Sequence, residues 1–226
     1  MRIVYEDNHL IAVDKLPGDI VQGDKTGDEP LSEQLKSYLK TKYHKPGNVF
    51  LGVIHRLDRP VGGLVLFART GKALARMNAQ FAERKVKKIY WAIVQKAPPK
   101  EADTITHYLI RNQKQNKSYA YDFPKKDAKE AILDYKVLGT SDRFFLLEIQ
   151  LHTGRHHQIR SQLAKIGCPI KGDLKYGFPR SNNDGGIDLI ARQMKFIHPV
   201  KQEPVTLTAQ LPDTALWRYF ETMLQR

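Results

Sequence analysis

Apolar and polar positions along this chain change over in short blocks, and the blocks have two periods. Ile3–Tyr5 and Leu10–Val13 flank the polar run 6–9 and predict a β-hairpin, broken by Leu16-Pro17-Gly18-Asp19. Residues 22–30 are polar and predict a loop. Leu31, Leu35 and Leu39 then recur at helical spacing from a start near Pro30, and Lys45-Pro46-Gly47-Asn48 ends that segment. Val49–Val53 and Leu64–Phe67 read as short buried strands on either side of a turn. Lys72–Lys88 reads as a helix with Leu74, Met77 and Phe81 inward, followed by a strand over Ile89–Val94 and a break at Ala97-Pro98-Pro99-Lys100.

Beyond that break the chain becomes strand-rich. Phe145, Leu147, Ile149 and Leu151 alternate with Leu146, Glu148 and Gln150 as a half-buried strand does. Gln158–Ile166 predicts a helix stopped by Gly167, and 182–186 a flexible loop. Val205–Ala209 predicts a last strand, and Asp213 the cap of a C-terminal helix with Leu216, Trp217, Phe220 and Leu224 inward. Strands and helices mix without a regular βαβ alternation and without an internal repeat, so the expected class is α+β.

Composition narrows the setting. The chain has 226 residues, 41% of them hydrophobic, which suffices for a sizeable core. No segment has the ~20 consecutive apolar residues of a membrane span, and the N-terminal residues lack an apolar leader core, so a cytoplasmic protein is expected. The single cysteine, Cys168, forbids an internal disulfide and reads as a small buried side chain. Net charge is +13, and Arg69–Lys100 holds nine lysines and arginines against one acid, Glu83. Such a surplus attracts a phosphate backbone. The narrow apolar stripe of the Lys72–Lys88 segment favours nucleic acid over a lipid surface.

Two segments carry the chemistry. The first is His55-Arg56-Leu57-Asp58, followed by Arg59-Pro60-Val61-Gly62-Gly63; the second is Thr153-Gly154-Arg155-His156-His157-Gln158-Ile159-Arg160. A lone carboxylate in a tight Gly/Pro turn is ordinarily a surface aspartate. An arginine reaching Asp58 would keep it charged and fix its direction. Arg155 stands at a strand-to-helix junction suited to that role, and Arg160, further along the helix, to holding a phosphate. Adjacent histidines on a helix diverge by about 100°, and no HExxH or paired cysteines accompany them, so no metal site is expected. Neither a GxxxxGK[ST] nor a GxGxxG pattern occurs, and no nucleotide cofactor is expected. A glycosidase would need two flanking carboxylates; only Asp58 has a persuasive setting, with Asp173 next. Tyr90, among Lys87 and Lys88, suits either a core strand or a stack on a base.

These segments, in this order, resemble the RluA-like family of RNA pseudouridine synthases. The opening hairpin through Lys15, His55-Arg56-Leu57-Asp58, Lys88-Ile89-Tyr90-Trp91-Ala92, the Thr153–Arg160 segment, Gly172-Asp173-Leu174-Lys175-Tyr176-Gly177 and Phe196-Ile197-His198-Pro199 all resemble its markers. The resemblance implies a pseudouridine synthase fold: a long, bifurcated, mainly antiparallel sheet with a central cleft, flanked by helices. It implies one catalytic domain over 1–226 without a separate RNA-binding domain, no cofactor, and isomerisation of uridine in structured tRNA or rRNA; a monomer is expected. By the same carry-over Asp58 is the catalytic aspartate, Arg155 its ion-pair partner and Tyr90 the aromatic stacked on the target base. Arg56 fills the space left by the flipped nucleotide. His55, His157, Arg160, Lys87 and Lys88 are expected at the RNA interface. Two positions depart from the family's pattern: Val61-Gly62-Gly63 replaces a usual Thr-Ser-Gly, and Leu189-Ile190-Ala191 a usual Leu-His-Ala. The competing expectations are an RNA-binding module of the same fold without activity and a hydrolase that releases free base.

Overall fold

The opening hairpin forms as its pattern requires. In the computed structural model, which describes residues 2–24 and 26–225, β1 (Arg2–Glu6) pairs antiparallel with β2 (Leu10–Lys15). Asp7 closes the turn by accepting the His9 and Leu10 backbone N–H groups, both at 2.8 Å. The chain divides into two units: Met1–Lys87 with Gln193–Gln210, and Lys88–Arg192 with Leu211–Arg226. The fold is α+β, with mostly antiparallel strands and, among the described residues, four α-helices.

In the first unit β2 pairs with β4 (Gly62–Ala68), whose residues are all buried, and the two-residue β3 (Gly52–Val53) pairs with the far end of β4. The strand predicted over Val49–Val53 thus shortens to its last two residues. Helix α1 (Leu31–Lys42) starts after Pro30 and buries Leu31, Leu35 and Leu39 against Ile11, Val13, Val65 and Phe67. Each such leucine contributes about 1.5–3 kcal/mol of transfer free energy. The polar 22–30 stretch is loop wherever it is described; Lys25 lies outside the described residues.

Helix α2 (Gly71–Ala82) is capped by the Thr70 hydroxyl, which accepts the Ala73 N–H. It stops six residues short of the predicted Lys88. Arg84 adopts φ +58°, and the Arg84 and Lys85 N–H groups return to the Phe81 and Gln80 carbonyls. That is a Schellman termination built on arginine, which carries no glycine signal for a reader of the sequence. Of the predicted inward set, Met77 is fully buried and Leu74 and Phe81 only partly, while Ala73 completes the face.

The second unit is a sheet of long strands: β5 (Lys87–Val94, all but its first residue), β6 (Ala102–Asn112), β7 (Lys117–Tyr121), β8 (Lys129–Thr140) and β9 (Phe145–Leu151). The antiparallel pairings run β5–β9–β8–β6–β7. Helix α3 (Gln158–Lys165) ends as predicted, Gly167 at φ +83° taking the left-handed position. β10 (Leu189–Ile197) gives its first residues to this unit and its last five to the first unit, where they pair with β11 (Pro204–Thr208). Helix α4 (Ala215–Leu224) is capped by Thr214 rather than Asp213, because the Thr214 hydroxyl is the one that accepts the Trp217 N–H. Trp217 and Phe220 are buried as expected. Leu224 is exposed, and Met223 takes the inward position beside Gly139, whose missing side chain makes room for it.

Candidate active site

The first segment is a loop between β3 and β4, held at almost every residue. His55 stacks on Phe81 with ring centroids 5.3 Å apart, and its Nε2 accepts the Leu66 N–H at 3.1 Å. β3 pairs only with Phe67 and Ala68, so the imidazole takes up the next rung of the ladder where the strand has stopped. An acceptor Nε2 places the neutral ring's proton on Nδ1. Leu57 packs partly into the α1 core. Arg56 is exposed and Asp58 half-buried. The Asp58 carbonyl accepts the Val61 N–H at 3.0 Å, closing the turn around Arg59 and Pro60. Gly63 follows with φ +105°, a backbone state that favours glycine.

Beneath this turn lies Lys15, 1% exposed. Its Nζ donates to the Leu16, Arg59 and Val61 carbonyls at 2.9, 2.9 and 2.8 Å. The buried ammonium therefore ties the hairpin to the two residues that bracket Pro60. Burial drives the Lys15 pKa down from 10.5 to about 8, against the opposing pull of Asp19 and Asp58 and with a smaller push from Arg59. Lys15 stands outside the two segments that carry the chemistry. Its signal was there: Lys15 continues the alternation of Ile11 and Val13, which places a lysine on an apolar face.

In the second unit Tyr90 is buried on β5, in register with Ile149. Two residues before it Lys88 is half-buried, and desolvation lowers its amine's pKa. A side chain on Gly154 would meet Lys88 Nζ at 3.8 Å, so this lysine lies beside the Thr153–Arg160 segment. Lys87 is exposed.

That segment is fixed by Gln158, whose Oε1 accepts both the Arg155 N–H (2.9 Å) and the Thr153 hydroxyl (2.8 Å) while its Nε2 donates to the Ile132 carbonyl. Arg155 is partly exposed and its Nε donates to the Glu130 carbonyl at 2.9 Å. Arg160 differs: it is 4% exposed and grips Asp173 bidentately, Nε to Oδ2 at 2.7 Å and Nη2 to Oδ1 at 2.9 Å. Asp173, second in line as a catalytic carboxylate, is thereby the buried counter-charge of Arg160.

Arg160 also orders the histidine before it. Its Nη1 lies 3.1 Å from His157 Nε2, and a guanidinium only donates, so His157 carries its proton on Nδ1, 3.0 Å from the Tyr176 hydroxyl. That hydroxyl also accepts the Ser118 N–H at 2.8 Å and donates to the Ser118 carbonyl at 3.2 Å. Burial, then Arg160 and His156, push His157 down to about 2, so it is a neutral internal link in left-handed backbone (φ +52°). His156 stacks on it at 3.8 Å and reaches Ser118 and Asn116. The role of Tyr176 depends on Ser118, 58 residues away, and leaves no local signal in the sequence. Cys168 is buried, which raises its thiol pKa.

Comparison with known proteins gives a consistent group. A family model described as RNA pseudouridylate synthase matches residues 9–165. An uncharacterized RNA pseudouridine synthase of Chlorobaculum parvum is 35% identical, the match covering 93% of this chain and 71% of that protein. A tRNA pseudouridine synthase C of Vibrio parahaemolyticus is 28% identical over 100% of this chain and 95% of its own. A ribosomal large subunit pseudouridine synthase C of Buchnera aphidicola is 30% identical over 92% and 66%. Among solved structures, human RNA pseudouridylate synthase domain containing 4 superposes with a TM-score of 0.80 at 23% identity, covering 99% of this chain and 93% of that one.

Proposed function

Because the chain belongs to the RNA pseudouridylate synthase family, isomerases of uridine in RNA, we propose that it converts uridine in structured tRNA or rRNA to pseudouridine with Asp58 as the catalytic carboxylate. The reaction breaks the bond from the sugar to N1 of uracil, turns the base and rejoins it through carbon, with no net redox change or hydrolysis. One well-aimed carboxylate in a sheltered pocket meets that need. The observation that supports the assignment is the anchoring of the Asp58 turn, in which the buried Lys15 Nζ donates to the carbonyls of Arg59 and Val61.

In this reading Tyr90 stacks on the target base and the exposed Arg56 occupies the place of the extruded nucleotide. Lys87, also exposed, meets phosphate, while the half-buried His55 and Lys88 and the buried His157, expected at the RNA interface, support the RNA-facing segments of their own units instead. Arg155 has the role of ion-pair partner to the Asp58 carboxylate. Arg160, buried and held at two points by Asp173, fixes the helix start behind Arg155. All of this is the work of one catalytic domain over 1–226, acting as a monomer in the cytoplasm.

The test is the purified protein incubated with total RNA lacking its modifications, with pseudouridine mapped by sequencing and free uracil measured alongside. Site-specific pseudouridine without uracil release is the expected result. RNA bound without pseudouridine would leave an inactive binding module, and released uracil a hydrolase.

Lys15 sets an alkaline limit. As pH rises through about 8 the ammonium becomes an amine with two donors for three carbonyls, and turnover is expected to fall with that apparent pKa. Folding stability moves the other way. Between about 8 and 10.5 the unfolded chain holds a proton that the folded one has lost, so this group's contribution to stability rises with pH. Lys15→Met is expected to lower turnover by roughly 100-fold through misplacement of the turn. It should also remove the alkaline limb from the pH–rate profile. A full-strength limb at pH 8 in that variant would assign the limit elsewhere.

A further inference from the structure

The two faces of the β6–β7 hairpin have different fates. Ile105, His107 and Leu109 point inward, where Gln162 of α3 meets the Ile105 carbonyl and His107. The alternate residues form the other face. Tyr108 stands opposite Tyr121 and Ile110 opposite Tyr119, so the four side chains make two adjacent rungs on one side of the sheet. All four are only partly buried or exposed, Tyr119 at 38%, and Phe123 just past the strand is 76% exposed. Three tyrosine rings, each at least partly open, with an exposed phenylalanine beside them on one sheet face, need an account.

Cations sit on these rings. Lys125 Nζ lies 3.8 Å from the Tyr121 ring centroid, and Lys117 Nζ lies between the rings of Tyr119 and Tyr176, 5.4 and 5.1 Å from their centroids. Residues 108–130 carry six basic side chains (Arg111, Lys114, Lys117, Lys125, Lys126 and Lys129) against Asp122, Asp127 and Glu130, and Asp122 is engaged by Lys165. The surface joins the candidate site within the same unit, since Tyr108 pairs with Glu130 and the Glu130 carbonyl accepts Arg155 Nε.

We propose that this face is a stacking platform for unpaired RNA bases, so that the substrate is an RNA with a single-stranded segment beside the target uridine. The inference rests on the proposed function for the nature of the polymer. Successive same-face residues on a strand stand ~6.8 Å apart, which leaves room for one base of ~3.4 Å thickness between or upon the Tyr119 and Tyr121 rings. Incoming phosphates draw Lys117 and Lys125 off the rings, and a base takes the vacated face, exchanging an exposed cation–π contact for a stronger stack. A continuous duplex presents no base faces and gains only the lysines. The outer edge of β7 is closed to strand addition at Ser118, whose N–H and carbonyl both go to Tyr176.

The experiment measures binding of the full chain to a fluorescent unstructured RNA dodecamer and to its blunt-ended duplex. Tyr119→Ala combined with Tyr121→Ala is expected to weaken single-strand binding by about fivefold to a hundredfold per ring, with duplex binding within about twofold. The paired phenylalanine variants should bind as wild type. Equal losses on both RNAs, no loss on either, or phenylalanine variants as weak as alanine ones would overturn the platform; no loss on either would turn this face over to a protein partner. Should the alanine variants fail to fold, hydroxyl-radical footprinting of the wild type decides, since the dodecamer must protect Tyr119 and Tyr121 and the duplex must not. Binding is read without turnover, so failure here leaves the isomerase reading intact, and a protein that forms no pseudouridine still yields this answer.

Discussion

Asp58→Asn is expected to lower single-turnover pseudouridine formation by at least about 1,000-fold, with RNA affinity within about twofold of wild type. Asparagine has nearly the shape of aspartate but neither attacks nor accepts a proton at neutral pH. The turn survives the change because what holds it is main chain: the Asp58 carbonyl still accepts the Val61 N–H, and Lys15 still grips the carbonyls of Arg59 and Val61. A loss of rate with an unchanged melting temperature therefore reads the chemistry of one carboxylate. Activity within tenfold of wild type would remove Asp58 from the mechanism. The same assay tests the proposed guanidinium: Arg155→Lys keeps the charge and loses the planar two-point fork, and a fall in rate at unchanged melting temperature is expected.

Asp173→Ala is expected to cost about 3–5 kcal/mol of folding stability. In a chain of this size that corresponds to a fall of roughly 6–20 °C in melting temperature. The magnitude follows from burial: the two side chains are 5% and 1% exposed, and without Asp173 the buried Arg160 guanidinium keeps its charge and loses this bidentate hold. The damage spreads along the network, since Arg160 sets the His157 tautomer and His157 meets Tyr176. The joint replacement of Arg160 and Asp173 by leucines should cost less than Asp173→Ala alone, because it removes both charges of the pair together. Urea unfolding of the single and double variants measures the difference. A cost below about 1 kcal/mol for Asp173→Ala would mean that water reaches this pair and that it is no anchor.

Element types were readable where packing obeys the local period. Leu31, Leu35 and Leu39 announced α1, and the hairpin through Val13 announced β1 and β2, because each buries one face against neighbours of the same kind. Element ends were less readable where the terminating device was not a side-chain signal. Arg84 in a left-handed state stops α2, and Thr214 rather than Asp213 captures the free N–H of α4. The long strands β6, β7 and β8 were legible only as a strand-rich region, since their pairings join residues far apart in the chain.

By itself the sequence determined the α+β class, the positive charge, the family and the two segments in which functional side chains lie, because those follow from composition, period and the order of short motifs. Only the tertiary structure decided which charged and aromatic residues are internal. Arg155 and Arg160 look alike as letters, yet one sits partly exposed against a backbone carbonyl and the other is sealed against Asp173. Lys15 looks like any lysine before a Pro-Gly turn, yet it lies beneath Asp58's loop, 2.8 Å from the Val61 carbonyl 46 residues on. The physical reason is the same in each case. Burial and charge pairing are set by partners that folding brings from elsewhere in the chain, and no local pattern records who those partners are.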